Sequence, residues 1–120
     1  MTKNEKKELN KLLHEYLRLK WGNKCLKCGK QGVLGLSHIY PRGKYRGMEF
    51  DEDNIILLCN YPCHLGWWHK SPIEAAIWIK EVLPPEQYQC IKLRANTPQK
   101  GTRNYKLIKI YLEQKIKELK

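Results

Sequence analysis

Near the start of the chain, apolar residues fall at helical spacing. Leu9, Leu12, Leu13, Tyr16 and Leu17 recur three and four residues apart with lysines on the other face, which predicts an amphipathic helix over residues 4–20. Gly22 stands where a helix C-terminal cap belongs. The pattern then changes. Val33-Leu34-Gly35-Leu36-Ser37-His38-Ile39 is a short apolar run bounded by glycine and proline, and Asn54-Ile55-Ile56-Leu57-Leu58-Cys59 is a continuous one. They predict strands over 33–39 and 54–59, the second buried. Asn60-Tyr61-Pro62 predicts a turn, and a helix starting near Pro62 carries Cys63, His64 and His69.

Ser71-Pro72-Ile73-Glu74 reads as a helix start, with Ser71 as cap, Pro72 in the first turn and Glu74 completing a capping box. Ile73, Ala76, Ile77, Ile79 and Lys80 mark the turns of that helix, and Leu83-Pro84-Pro85 ends it. A short helix follows over 85–93, with Tyr88 and Ile91 on its apolar side. Residues 96–101 read as a linker. A last helix over 102–119 aligns Tyr105, Ile108, Leu112, Ile116 and Leu119 along one stripe. The expected class is α+β, with a ββα core over 23–82 between an N-terminal helix (1–22) and C-terminal helices (83–120).

At 120 residues the chain is one domain's worth, and so thin a β element needs help to complete its core. Charge adds a second clue. The net charge is +11, from 23 Lys and Arg against 12 Asp and Glu, and it is unevenly spread. Residues 3–30 hold nine basic and three acidic side chains, 92–120 hold nine and two, and 31–91 hold five and seven. Basic ends favour a polyanion through counterion release, although a charge bias alone is also compatible with a plain solvated surface. No stretch approaches the roughly 20 apolar residues of a membrane span. The first residues, Met-Thr-Lys-Asn-Glu-Lys-Lys-Glu, contain no apolar signal region. An intracellular setting is therefore expected, where paired cysteines mean metal more often than disulfide.

The cysteines sharpen this expectation. Cys25 and Cys28 are separated by two residues and Cys59 and Cys63 by three, with thirty residues between the pairs. Two such knuckles supply the four soft, tetrahedral ligands of a structural Zn²⁺. Cys90, the fifth cysteine, has no partner at that spacing and reads as a small buried side chain on a helix. Of the four histidines, His14 lies between helix residues with no ligand partner nearby and reads as structural or solvated. His38, His64 and His69 are different, since strand, turn and helix would bring them to one side of the hairpin. A strand histidine can activate water at neutral pH, and helix histidines can hold a cation, which together suit phosphodiester hydrolysis. Asn54 fits either an orienting acceptor for that imidazole or a turn residue before the strand. The loop 40–53 is longer than a packing connection needs. Its basic half, Arg42, Lys44 and Arg46, offers phosphate contacts or a solvated loop tip. Trp67 and Trp68 suit stacking on unpaired bases or packing against the next helix.

The succession Cys-x₂-Cys, His38-x₂-Pro41, Asp53-Asn54-Ile-Ile-Leu-Leu-Cys59 and Cys63-His64 resembles the HNH endonucleases of the ββα-metal class. Ser37-His38-Ile-Tyr-Pro-Arg42, then Glu49-Phe50-Asp51-Glu52-Asp53-Asn54, then Pro84-Pro85-Glu86-Gln87-Tyr88, is most similar to phage recombination endonucleases of the NinG (Rap) type. The resemblance implies His38 as general base, Asn54 as the middle Asn, and His64 with His69 as ligands of a catalytic Mg²⁺ or Mn²⁺. It also implies zinc on the four cysteines and branched DNA, such as recombination junctions, as substrate. Two positions depart from the family. Ser37 stands where many members have an Asp metal ligand, so the ion is held through water or by a loop carboxylate such as Asp51 or Asp53. His69 follows His64 by five residues, whereas an ideal α-helix aligns ligands better at four. The expected activity is thus metal-dependent endonucleolytic cleavage of DNA, by a monomer or a homodimer matching a junction's two-fold character. The competing expectation is a zinc-binding DNA module without catalysis.

Overall fold

The computed structural model describes residues 1–97 and 104–120. Helix α1 (Lys3–Trp21) opens on a capping box that the apolar pattern did not announce. Glu5 N donates to Thr2 Oγ1 at 3.1 Å, and Thr2 N donates to the Glu5 carboxylate at 2.8 Å. Gly22, at φ 94°, closes the helix by donating its N–H to Arg18 O. Leu9, Leu13, Tyr16 and Leu17 form the buried face, as their spacing predicts.

Strands β1 (Leu34–His38) and β2 (Ile55–Cys59) pair antiparallel, with Leu34 opposite Cys59 and His38 opposite Ile55. All five residues of β2 are buried. A lone two-stranded ribbon is marginal in water, so cover from elsewhere is required. It comes from α1, whose buried leucines join Leu34, Met48 and Ile55–Leu58 in one core cluster. Helix α4 (Tyr105–Leu119) packs on α1 and adds Leu112 and Ile116. Asn104 caps it by accepting from Leu107 N at 3.1 Å. The start of the last helix predicted at 102, and most of the 96–101 linker, lie outside the described residues.

After β2 comes a nine-residue segment, Asn60–Trp68, that is extended at Tyr61 and then winds as a π-helix. Helices α2 (Pro72–Val82) and α3 (Pro85–Ala95) follow. Two expectations for α2 fail. Ser71 makes no side-chain cap bond among the described residues, and its N–H, the donor that Glu74 would use in a capping box, goes to Trp67 O (2.8 Å) at the end of the preceding winding. Ile73 and Ile77 are exposed and the helix packs through Ala75 and Ile79 instead. At about 100° per residue, positions two apart point to nearly opposite sides. In α3, Ile91 is buried and Tyr88 half-buried, in line with the sequence. No helix among the described residues is long and apolar enough to cross a membrane.

Candidate functional site

The hairpin carries a cysteine cluster and a histidine cleft. In the first, Cys25 and Cys28 come from the turn after α1, Cys59 ends β2, and Cys63 sits one turn further on. Their four sulfurs lie within 4.8 Å of one another. Thiolates about 2.3 Å from a tetrahedral zinc lie about 3.8 Å apart. The Cys28 and Cys59 sulfurs are already 3.8 Å apart, the separation that two ligands of one such ion require. The local backbone already favours thiolate. Burial pushes the Cys25 thiol up, but N–H groups of Cys28, Cys59 and Lys27 outweigh it and bring the pKa down to about 6. One of these contacts, Cys28 N to Cys25 Sγ, measures 3.5 Å. Three of the four cysteines are buried, as in a closed structural site. Cys90 is outside this group and exposed, not buried as its sequence suggests, because the buried side of its helix passes through Ile91.

The histidine cleft encloses about 530 Å³ between β1, the loop after it, the π-helical segment and α2, with His38, His64, His69, Arg42, Tyr40 and Tyr88 in its wall. His38, His64 and His69 are thus brought to one side of the hairpin, as their positions in the sequence predict. The five-residue spacing of His64 and His69 finds its explanation here. A π-helix bonds each residue to the fifth one back. His69 N donates to His64 O at 3.2 Å, and the two rings stack on one side with Nε2 atoms 3.0 Å apart. Ligand nitrogens about 2.1 Å from one cation and about 90–110° apart are separated by about 3.0–3.4 Å. The pair therefore fits adjacent positions on one cation. A group of three ligand side chains is formed only by the cysteines among the described residues.

His38 is oriented by a group the sequence did not single out. Its Nε2 lies 2.8 Å from the carbonyl of Glu49, so that nitrogen carries the proton and Nδ1 is left as the acceptor. Burial, with Arg42 nearby adding to it, pulls the His38 pKa down to about 4, so the ring is neutral at physiological pH. Burial also lowers His64, helped by the adjacent His69 and by His38.

Asn54 is fully buried but does not touch His38 as an orienting acceptor. Its Oδ1 accepts from Tyr40 N (2.8 Å), and its Nδ2 donates to Tyr40 O (3.0 Å) and Met48 O (3.2 Å). It ties down both ends of the loop whose Glu49 carbonyl holds His38. The acidic half of that loop also faces elsewhere. Asp51 and Asp53 are bound by Arg94 of α3 at 2.8 and 3.0 Å, which turns both away from the role of replacement metal ligand. Glu52 takes a hydrogen bond from Tyr111 of α4 and lies 3.8 Å from Lys20, and Glu49 lies 4.0 Å from Lys6. Ser37 is buried, its Oγ without a hydrogen-bond partner.

The basic half is exposed: Arg42 reaches the cleft wall, while Lys44 and Arg46 stand beyond it. Trp67 and Trp68 pack edge-on against Trp78 of α2, with centroids 5.4 and 6.4 Å away, as the packing alternative expects. Gly35 is a site residue that sequence reasoning passed over. A Cβ there would lie 2.7 Å from His64 Nδ1 and 2.9 Å from Asn60 Oδ1, so only glycine lets His64 seat against β1. A glycine inside a strand is itself a signal of such close approach. Comparison of the chain with family models, with curated proteins and with solved structures gives no match.

Proposed function

We propose that this protein is a metal-dependent DNA endonuclease of the HNH type, acting on branched DNA, with a zinc-stapled ββα core. The observation that carries the reading is the cleft itself: His64 and His69 present two Nε2 atoms 3.0 Å apart, beside a neutral His38 fixed by Glu49 O. His38 Nδ1 accepts the proton of an attacking water, the step for which a free imidazole acceptor is required. His64 and His69 hold the divalent ion, Mg²⁺ or Mn²⁺, which when bound supplies charge stabilisation at the scissile phosphate. Arg42 in the cleft wall, with Lys44 and Arg46 beyond it, neutralises flanking phosphates. The branched substrate rests on the resemblance of the motifs to recombination endonucleases.

The test is cleavage of linear, flap and four-way DNA by purified protein with Mg²⁺ or Mn²⁺. His38→Ala should lower cleavage by about 10²–10⁴-fold, the usual worth of a general base, with zinc content and DNA affinity retained. Wild-type protein that cuts none of these substrates would sink the nuclease reading. One observation favours the second reading, a zinc-binding DNA module without catalysis. The His64–His69 contact is also a hydrogen bond between the two rings, and needs no ion to be satisfied. That reading expects the same DNA affinity and no cleavage, with His64→Ala felt in thermal stability alone.

A further inference from the structure

Beyond the cleft, the chain carries an ordered row of cations that none of the roles above uses. On α1 the cations Lys7, Lys11 and Arg18, with the hydrogen-bonding His14 between the last two, follow one another at spacings of four, three and four, which places them along one side of the helix. This side lies roughly opposite the buried Leu9, Leu13 and Leu17. The row lines an open groove whose floor includes Leu36 of β1, and Leu36 also lines the histidine cleft. The two depressions are therefore contiguous. His14 Nε2 fixes the register of the helix on the strand through Leu34 O at 2.6 Å.

The ion pairs of α1 are sorted by direction. Glu8 is bound by Lys109 (2.8 Å) and Glu15 by Lys120 (3.0 Å), both from the C-terminal helix end of the chain. Lys6 and Lys20 face Glu49 and Glu52 of the loop. Lys7, Lys11 and Arg18 are exposed and make no ion pair among the described residues. Arg18 spends one N–H on His14 O (3.3 Å) and keeps the rest of its guanidinium. Glu8, the one carboxylate in the groove wall, is neutralised by its lysine. With 1.5 Å of rise per residue, Lys7 to Lys11 spans about 6 Å and Lys7 to Arg18 about 16 Å. On this side of α1 the only carboxylate in the groove wall among the described residues, Glu8, is already paired, so Lys7, Lys11 and Arg18 keep their charge toward solvent.

The geometry points to a second phosphate-binding track: Lys7, Lys11 and Arg18 of α1 grip the backbone of the DNA strand that leaves the histidine cleft over Leu36. The inference rests on the DNA reading above and extends it to a named surface. Arg42, Lys44 and Arg46 then lie on one flank of the cleft and α1 on the other, so the scissile phosphate is approached with its strand held on both sides.

The triple variant Lys7→Ala, Lys11→Ala, Arg18→Ala tests it against a control that removes the same charge elsewhere, Lys80→Ala, Lys92→Ala, Lys117→Ala, all exposed. Alanine is the best helix former, so α1 is spared. The readout is fluorescence anisotropy of labelled duplex and four-way DNA over a salt series, without divalent metal. Removing three phosphate contacts should flatten the log–log salt slope by about 2 to 3 and weaken binding by about 100-fold or more at 0.1 M salt, relative to 1 M. The control should keep the wild-type slope within one unit. Equal losses in both triples would mean that net charge alone governs binding and would overturn the track. Wild-type protein that binds no DNA overturns the track together with the DNA reading. Wild-type protein that binds without cutting removes the nuclease reading only, and the track is still decided by the slopes.

Discussion

The cysteine cluster and the histidine cleft share the segment after β2, yet they differ in how much of the surroundings an ion would need the chain itself supplies. Around the sulfurs the set a metal would need is complete: four candidate ligands, three of them buried, with backbone N–H groups favouring thiolate at Cys25 while burial and the neighbouring sulfurs push the Cys63 thiol up. Around the imidazoles it is partial. Two nitrogens lie 3.0 Å apart, His69 is exposed, and the rest of the surroundings is an open cavity. A filled sphere excludes water and substrate, and a partial one leaves room for both. The chain thus gathers four sulfurs on the Cys63 side and leaves an open cavity on the His64 side, over the single step between those two residues.

If that division is right, damage to the two sides should look different. The largest effect is expected on the cysteine side. Cys59→Ser removes a ligand from a small core whose sheet has only two strands, so zinc content should fall and cooperative thermal unfolding should be lost. Chelation of the wild-type protein should do the same. A folded, zinc-free Cys59→Ser with an unchanged Tm would show that the sulfurs are ordinary core packing.

A smaller effect, confined to the cleft, is expected from Gly35→Ala. The added methyl lies within 2.7 Å of His64 Nδ1 and must displace that ring. Misplacing a reacting group by about 1 Å can cost on the order of 100-fold in rate, so the proposed cleavage should drop by about that much with zinc retained. Wild-type cleavage rates in Gly35→Ala would detach His64 from the chemistry.

The smallest effect is one of pH. His38 is pulled from an ordinary value of 6.5 to about 4 in the folded chain. Between those values the unfolded chain takes up a proton that the folded one refuses, so stability is complete above pH 6.5 and declines as pH falls toward 4. His38→Gln should remove that part of the decline, read as the difference between the two proteins' unfolding midpoints across the range. Parallel pH profiles would place His38 in a more solvated setting than the cleft wall.

The sequence was most readable where one face of an element is buried and the other is not. Leu9, Leu13 and Leu17 announced α1, and the unbroken apolar run of β2 announced a strand without an exposed side. The cysteine spacing announced the cluster, because a tetrahedral metal ion asks for its ligands at such intervals. Contacts between distant residues carried no such signature. Arg94 reaches Asp51 and Asp53 across more than forty positions, so nothing local could say that these carboxylates were spoken for. Asn54 gave its turn role and its orienting role equal claim. The structure gives it a third, holding Tyr40 and Met48 and acting on His38 only through the loop. The π-winding was hidden for another reason. The stretch after Pro62 is too short for an apolar period to reveal how many residues make a turn.

That winding has a consequence for how the histidine pair tolerates changes of length. Deleting one residue between His64 and His69 would give the four-residue separation that an ordinary α-helix aligns, while adding one would suit neither form. The pair is thus asymmetric toward insertion and deletion: one missing residue can be absorbed by tightening the turn, and one extra cannot. Pattern searches written around His-x₃-His pass over this arrangement, although the two imidazoles it delivers end up the same distance apart.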